Sequence, residues 1–477
     1  MDRDERAATI ALKGHRCPQG FERLNQEPGN PVTPALRIVP REQHVISRKN
    51  ISKAALRVLY RLNEAGYHGY LVGGAVRDLL IGGSPKDYDV ATNATPDEVK
   101  KLFRNCRLIG RRFRLAHVVF GPEIIEVATF RGTGEEGVDS EGDRHIVDGR
   151  IVRDNVWGSI EEDAVRRDFR VNALYYDISD FSVRDYVGGM QDVQDKVLHL
   201  IGDPATRYRE DPVRMLRAAR LAAKLGFRID DQAAAPFEEL GPLLGEAAPA
   251  RLFDESLKMF LGGHGLKSFR MLEQCGLLKF LFPATARALK RGDEALRSMV
   301  EAGLANTDAR IAEGKSVTPA FLFAVLLWGE VRDVAHAAMA RGVESTEAWE
   351  RAAANVVGEQ CQRVAIPRRF TLTMEEIWSL QPRFEQLQRK RVFRLMTHPR
   401  FRAAYDFLLL RGSESPAMRD LGAWWTHAQQ LPPDVLSAAL PATGGAATDS
   451  PATAAAAAPA RKRRRRRKPG GTSSGSA

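Results

Sequence analysis

Asp87 and Asp89 stand one residue apart in GGSPKDYDV, residues 82–90. At the start of a strand, side chains two apart leave on the same face, so both carboxylates meet at one spot. Two carboxylates placed in this way repel each other unless a cation lies between them. A hard ion such as magnesium, which prefers carboxylate and phosphate oxygens, suits that place. Taken alone, an Asp-x-Asp segment reads more readily as an acidic turn. Its surroundings shift the balance. In LVGGAVRDLL, Gly73 and Gly74 make a turn between a short strand and a helix, thirteen residues ahead of Asp87. Glycines let the backbone approach an anion closely, and the free N–H groups of a helix start point at it. Arg77 in the first turn of that helix is placed to hold a triphosphate.

A second group lies at Glu210-Asp211-Pro212-Val213-Arg214. Pro212 suits the start of a helix, and Asp211 and Arg214, three apart, share one helical face. Arg217 continues the stripe. An ion pair at a helix N-terminus is the plainer reading of these residues. No histidine or cysteine constellation suggests a nucleophile. Cys17, Cys106, Cys275 and Cys361 lie far apart with no CxxC pair, and read as free thiols in a reducing compartment.

Elements that could position these groups follow from the pattern. Ser52 caps a helix over SKAALRVLYRLNEAG, and Tyr70–Val72 reads as a buried strand. The Gly-Gly turn leads into a second helix, PKDYDVAT into a strand, and TPDEVKKLFRN into a capped helix. HVVFG, EIIEVATFR, VNALYYDIS and VRDYV carry strand patterns, with GGM a tight turn. Residues 132–150 read as a surface loop. Residues 50–200 therefore form a mixed α/β region. Beyond Pro204 helical spacing takes over, with strand signals absent, to about residue 435. Residues 1–45 read as a mobile arm and 436–477 as disordered low-complexity chain.

The charge is concentrated. Of the net +11, eight charges belong to Arg461, Lys462, Arg463, Arg464, Arg465, Arg466, Arg467 and Lys468, leaving +3 elsewhere. Such a run attracts polyanions through counterion release without choosing a sequence. Residues 366–411 add ten Lys or Arg against four acids, Arg389, Lys390 and Arg391 among them, with Phe384, Phe393 and Phe401 interleaved. Aromatic faces there could stack bases, although a helical core is the better reading for most of those phenylalanines. No apolar run spans a membrane, and the charged N-terminal stretch argues against a signal peptide, so a cytoplasmic protein is expected.

LVGGAVRDLLIGGSPKDYDVAT, EIIEVATFRG, RRDFRVNALYYD and REDPVRMLRAARLAAKLGF, in this order over residues 66–285, resemble the motifs of the class II tRNA nucleotidyltransferase and bacterial poly(A) polymerase family. The resemblance implies an α+β chain: a polymerase-β-like head at 66–204, a helical neck at 205–262, a helical arginine-rich body at 263–435 and a basic tail. It implies Asp87 and Asp89 as ligands of two magnesium ions (manganese being an alternative), and a third carboxylate nearby. Glu126 and Asp168 are both candidates, and the sequence does not rank them. An ion pair of Asp168 with Arg166 or Arg167 is the structural alternative.

ATP as substrate would be held by Gly73, Gly74, Arg77, Arg167, Asp211, Arg214 and Arg217. The EDxxR motif acts in the family as an amino-acid template for the base, the carboxylate accepting from an exocyclic amine and the guanidinium donating to a ring nitrogen. Arg111, Arg112 and Arg114 in LIGRRFRLAHVVFG resemble the poly(A) polymerase version of that segment, and the arginine-rich extension points the same way. Adenylate addition to RNA 3′ ends, with a role in mRNA processing and RNA decay, is thus expected of a monomer. CCA addition to tRNA, a catalytically dead RNA-binding protein and a small-molecule nucleotidyltransferase are the alternatives.

Overall fold

The structure is a computed structural model describing residues 36–110, 114–132, 144–147, 150–154 and 156–441. Its first half is built on one eight-stranded sheet. The strands are β1 (Arg37–Val39), β2 (Gly69–Val72), β3 (Asp89–Thr92), β4 (Cys106–Ile109), β5 (Leu115–Phe120), β6 (Glu123–Thr129), β9 (Leu174–Asp177) and β10 (Val183–Asp185). They lie in the order β1-β10-β9-β2-β3-β6-β5-β4. Every neighbouring pair is antiparallel except β3 and β6, which run parallel. A separate hairpin, β7 (Arg144–Val147) with β8 (Arg150–Asp154), occupies part of the stretch expected as a loop.

Alternation along the strands assigns the two faces of the sheet. Leu71, Val90, Val127 and Ala116 stand opposite one another across β2, β3, β6 and β5, and all are buried. They face α1 (Lys53–Glu64) and α2 (Gly74–Leu80) in one core, with α3 (Pro96–Leu102) beside them. Ser52 caps α1 by accepting from the Ala55 amide, and Val58, Leu59 and Leu62 fill its inward stripe. Each such side chain contributes roughly 1.5–3 kcal/mol by leaving water.

The expected arm is shorter than the sequence suggests. Arg37–Val39 pairs with β10, and Val39, His44 and Ile46 are buried. A three-residue strand with one inward side chain is too short for its alternation to be recognised in advance. Residues 1–35 and 442–477, the rest of the expected arm and most of the segment expected as disordered, lie outside the described residues, whereas Leu436 and Leu440 at the start of that segment are buried.

Two helices missed above close the head: α4 (Ile160–Arg166), begun by a Ser159/Glu162 capping box, and α5 (Gly189–Asp195), where a tight turn was expected. Helices dominate from Pro204 onwards, starting with α6 (Pro204–Glu210) and α7 (Val213–Leu225). One strand signal is nevertheless present there: β12 (Arg228–Ile229) pairs with β11 (Val197–Leu198) and ties neck to head. A single apolar core runs from Phe169 and Val171 through α7 to Trp378 and Phe407, so no core boundary falls at residue 262. A smaller core from Leu380 to Leu440 follows it.

Candidate active site

The row next to Leu71–Val90–Val127–Ala116 points the other way. It reads Val72, Asp89, Glu126, His117 across β2, β3, β6 and β5. The parallel seam places Asp89 and Glu126 side by side, although 37 positions separate them in the chain. Asp87 lies two residues ahead of β3, outside the strand. All three line one open cavity of about 690 Å³, with Lys86, His117 and Ile124. Among the described residues none of the three forms an ion pair with Lys or Arg. Glu126 has only His117 Nε2, at 3.2 Å.

The electrostatics match this crowding. Asp89 is open to solvent at one side, yet its carboxyl is pushed up to about 6. Loss of water to the surrounding protein is the main cause, followed by the charge of Glu126. Arg167 pulls the other way, and Asp87 adds a smaller push. Uncompensated negative charge with oxygen donors only is what a hard divalent cation would relieve, so these residues fit magnesium or manganese. Among the described residues no three His, Cys, Asp or Glu side chains converge closely enough to hold a metal ion as they stand.

The glycine turn lies against this row. Gly73 adopts φ +75, ψ −136, which only glycine takes without strain. A Cβ there would stand 3.7 Å from Arg167 Nη1 and 3.9 Å from Asp89 Oδ2, which places the turn, the guanidinium and the carboxylate together. Arg167 is held from behind. Its Nε donates to Asp163 (3.2 Å) and to the Tyr175 hydroxyl (3.0 Å), and its Nη2 donates to Asp163 (2.9 Å). Asp163 and Tyr175, both buried, were missed by sequence reasoning. The capping-box signature of α4 could have suggested Asp163.

Arg77, expected to hold phosphate, is engaged within the protein. It is buried, donating to Asp78 Oδ1 through Nε and Nη2 (2.9 and 2.6 Å) and to Asn172 Oδ1 through Nη1 (2.5 Å). It underpins the Gly-Gly turn instead, its Nη2 3.4 Å from where a Gly74 side chain would begin. The reason is local: Arg77 follows the turn by a full helical turn, and its side chain folds back under α2.

Asp168 stands apart from the acidic row, at the junction of head and neck. It accepts from the Phe169 amide (2.9 Å) and Asn172 Nδ2 (3.3 Å), and pairs with Arg217 on α7 (3.2 Å). Burial favours its neutral form, but Arg217, Asn172 and the Phe169 amide outweigh it and hold its carboxyl below the usual range. The alternative pairing, with Arg166 or Arg167, is not among the ion pairs of Asp168 with described residues, where Arg217 takes that place. Asp168's partner is the neck, and Glu126 is the third carboxylate beside Asp87 and Asp89.

Asp211 ends α6 and accepts from Arg251 Nη2 at 2.8 Å. Burial pushes its carboxyl up, and Arg251 and Arg214 together take it below the ordinary value. Arg214 donates to Glu210 (2.8 Å) and to the Arg207 carbonyl (2.6 Å). Arg207, unforeseen, donates to the carbonyls of Arg166 (2.9 Å) and Arg167 (2.7 Å), fastening neck to head at the arginine that faces Gly73.

Farther out, Arg114 pairs with Asp97 at 3.4 Å, while Arg111 and Arg112 lie outside the described residues. Arg389 donates to the Leu440 carbonyl (3.4 Å) and Arg391 to Gln386 (3.0 Å), with Lys390 exposed. Arg391 lines a cavity of about 540 Å³ with Arg383, Arg394 and His398. Phe384 and Phe401 are buried and Phe393 is packed against the same core, as the plainer reading held. Arg461 to Lys468 lie outside the described residues, and no described helix is long and apolar enough to cross a membrane.

An acidic row across a parallel seam, with a glycine turn against it and a helical neck joined to the head, fits a nucleotidyltransferase. The chain is 53% identical over 408 residues, 84% of its length, to Poly(A) polymerase I of Salmonella typhi, of which the match covers 87%. It belongs to the poly(A) polymerase I family. Three family models agree: the poly A polymerase head domain at 69–199, the probable RNA and SrmB-binding site of polymerase A at 226–289, and the polymerase A arginine-rich C-terminus at 341–469. The CCA-adding enzyme of Bacillus pumilus is 36% identical, but over 46% of this chain and 52% of its own. The structure of Thermotoga maritima CCA-adding enzyme complexed with tRNA shares the fold, with TM-score 0.56 over 83% of this chain and 86% of that one at 19% identity.

Proposed function

We propose that this protein adds adenylate from ATP to RNA 3′ ends without a template, releasing pyrophosphate. The observation that carries the reading is the row of carboxylates without a Lys or Arg partner among the described residues, Asp89 and Glu126 with Asp87, set against the Gly73 turn and Arg167. Preference for adenylation over CCA addition is supported by likeness along most of the chain, the arginine-rich C-terminal part included, where the CCA-adding relative matches under half.

Asp87, Asp89 and Glu126 would hold two magnesium ions, or manganese, which when bound supply a more acidic 3′-hydroxyl and neutralise phosphate charge. Gly73 leaves room for the triphosphate to approach the backbone, and Arg167 Nη1 faces the same space. Because α2 is only seven residues long, the open turn and the guanidinium matter more than a helix dipole. Asp211 and Arg214 present a carboxylate and a guanidinium to the base, held by Arg251 and Glu210 until it arrives. Basic groups of the body and tail, Arg391 and Arg461 among them, retain the RNA by its phosphates. In this reading the enzyme is a cytoplasmic monomer whose products enter mRNA processing and decay, in contact with the decay machinery.

The test is extension of a labelled generic RNA, and of a tRNA lacking its 3′ CCA, with each nucleotide and magnesium. Long ladders on the generic RNA with ATP alone are expected. Addition of three nucleotides to the tRNA alone, needing CTP and ATP, would replace this reading with CCA addition. No extension of either would leave a basic RNA-binding protein.

A further inference from the structure

Arg167 has three guanidinium nitrogens, and the fold uses two. Nε and Nη2 are spent on Asp163 and the Tyr175 hydroxyl, while the Tyr175 hydroxyl itself donates to Asp163 at 2.7 Å. The guanidinium also lies 5.2 Å from the Tyr175 ring centroid. Its third nitrogen, Nη1, makes no hydrogen bond among the described residues and faces Gly73 and Asp89. The side chain keeps 16% of its surface open.

A charge pair this enclosed is an expensive way to hold a fold together. Taking two ions out of water costs several kcal/mol each, and apolar side chains of similar volume would stabilise the head as well. Such a pair makes sense where one charge must be presented in a fixed direction. A guanidinium held at two nitrogens has lost its rotamer freedom before a ligand arrives, so less ordering remains to oppose binding. The Arg207 bonds to the 166–167 carbonyls fix the backbone beneath it in the same way.

We propose that Asp163 and Tyr175 are positioning residues that aim Arg167 Nη1 at the β- and γ-phosphates of the nucleotide over the Gly73 turn. The proposal rests on the nucleotidyl-transfer reading and goes beyond it by separating phosphate recognition, set by this buried pair, from base recognition in the neck. Neither residue touches the nucleotide; both act through Arg167.

The experiment compares equilibrium binding of ATP and of AMP, with magnesium and without RNA, to full-length wild type, Tyr175→Phe, Asp163→Asn and Arg167→Ala. Tyr175→Phe keeps the ring and removes one hydroxyl, so it should weaken ATP binding about five- to tenfold, the worth of one charge-assisted hydrogen bond. AMP, lacking the distal phosphates, should bind all variants alike, and the thermal midpoint of Tyr175→Phe should stay near wild type. In turnover, KM for ATP should rise more than kcat falls. Equal losses for ATP and AMP would show a merely structural role and overturn the proposal, as would unchanged ATP binding in both Tyr175→Phe and Asp163→Asn. If Tyr175→Phe does not fold, Asp163→Asn decides on the same criterion. Unchanged ATP binding in Arg167→Ala would instead overturn the placement of the triphosphate on which the proposal stands.

Discussion

The head and the neck treat their ionised residues in opposite ways. In the head, Asp87, Asp89 and Glu126 have no Lys or Arg partner among the described residues, and burial, with the charge of Glu126 added, pushes Asp89 up to about 6. In the neck, Asp211 pairs with Arg251 and Arg214 with Glu210, and Arg217 reaches back to Asp168. An unpaired acidic group is unstable without its ligand and costs the fold something. A paired group is inexpensive to keep and already oriented, but must give up or share its partner when the ligand comes. Under the proposed function, the difference would separate residues that do chemistry on a charged substrate from residues that choose among neutral bases.

Four experiments would break or sharpen that contrast. Asp89→Asn should lower transfer by on the order of 10³-fold or more, since removing an ion ligand forfeits several kcal/mol of charge stabilisation. The fold should persist, because Asp89 supports nothing around it. A variant that retained normal turnover would remove the acidic row from the chemistry. Next, Arg251→Ala releases Asp211, and the ratio of kcat/KM for ATP over CTP should fall about tenfold. An unchanged ratio would mean that Arg251 only packs the neck.

Third, Arg217→Ala should destabilise the protein by about 1–2 kcal/mol near neutral pH in denaturant titrations, by stranding Asp168. The sign with pH is set by Asp168, whose carboxyl the folded protein holds below its ordinary value. Its contribution is present above the ordinary carboxylate range and lost as pH falls through the depressed value. The gap between wild type and variant should therefore close on acidification, and a gap that widened would exclude this pairing as its cause. The smallest effect is expected from deleting residues 461–477: RNA binding weaker and less salt-dependent, with turnover at saturating RNA little changed. Binding that kept its full salt dependence would give the tail another purpose.

What the sequence revealed follows from how local each signal was. The Asp87–Asp89 spacing, the glycine turn and the helical texture after Pro204 are short-range patterns, and all were legible. Glu126 and Asp168 could not be ranked, because only the parallel register of β3 with β6 decides which acid stands beside Asp89. Arg77 was misplaced for a related reason: spacing put it near the turn but not on which side of it. Tyr175 and Arg207 act through contacts between elements, and no periodicity announces those; Asp163 stands four residues before Arg167 on one helix, a spacing that was open to reading but was not read. The strand at Arg37–Val39 was hidden by its length, since three residues carry too little alternation to stand out.

That first strand has a consequence for how the molecule is made. It pairs with β10, a segment that leaves the ribosome about 150 residues later, or some 10–30 seconds at ordinary synthesis rates. Until then Arg37–Val39 lacks its sheet neighbour, and the acidic row has no completed sheet behind it. The nascent enzyme thus passes its early life with the catalytic strands already synthesised but unsupported, a window in which chaperone access or premature cleavage would matter most.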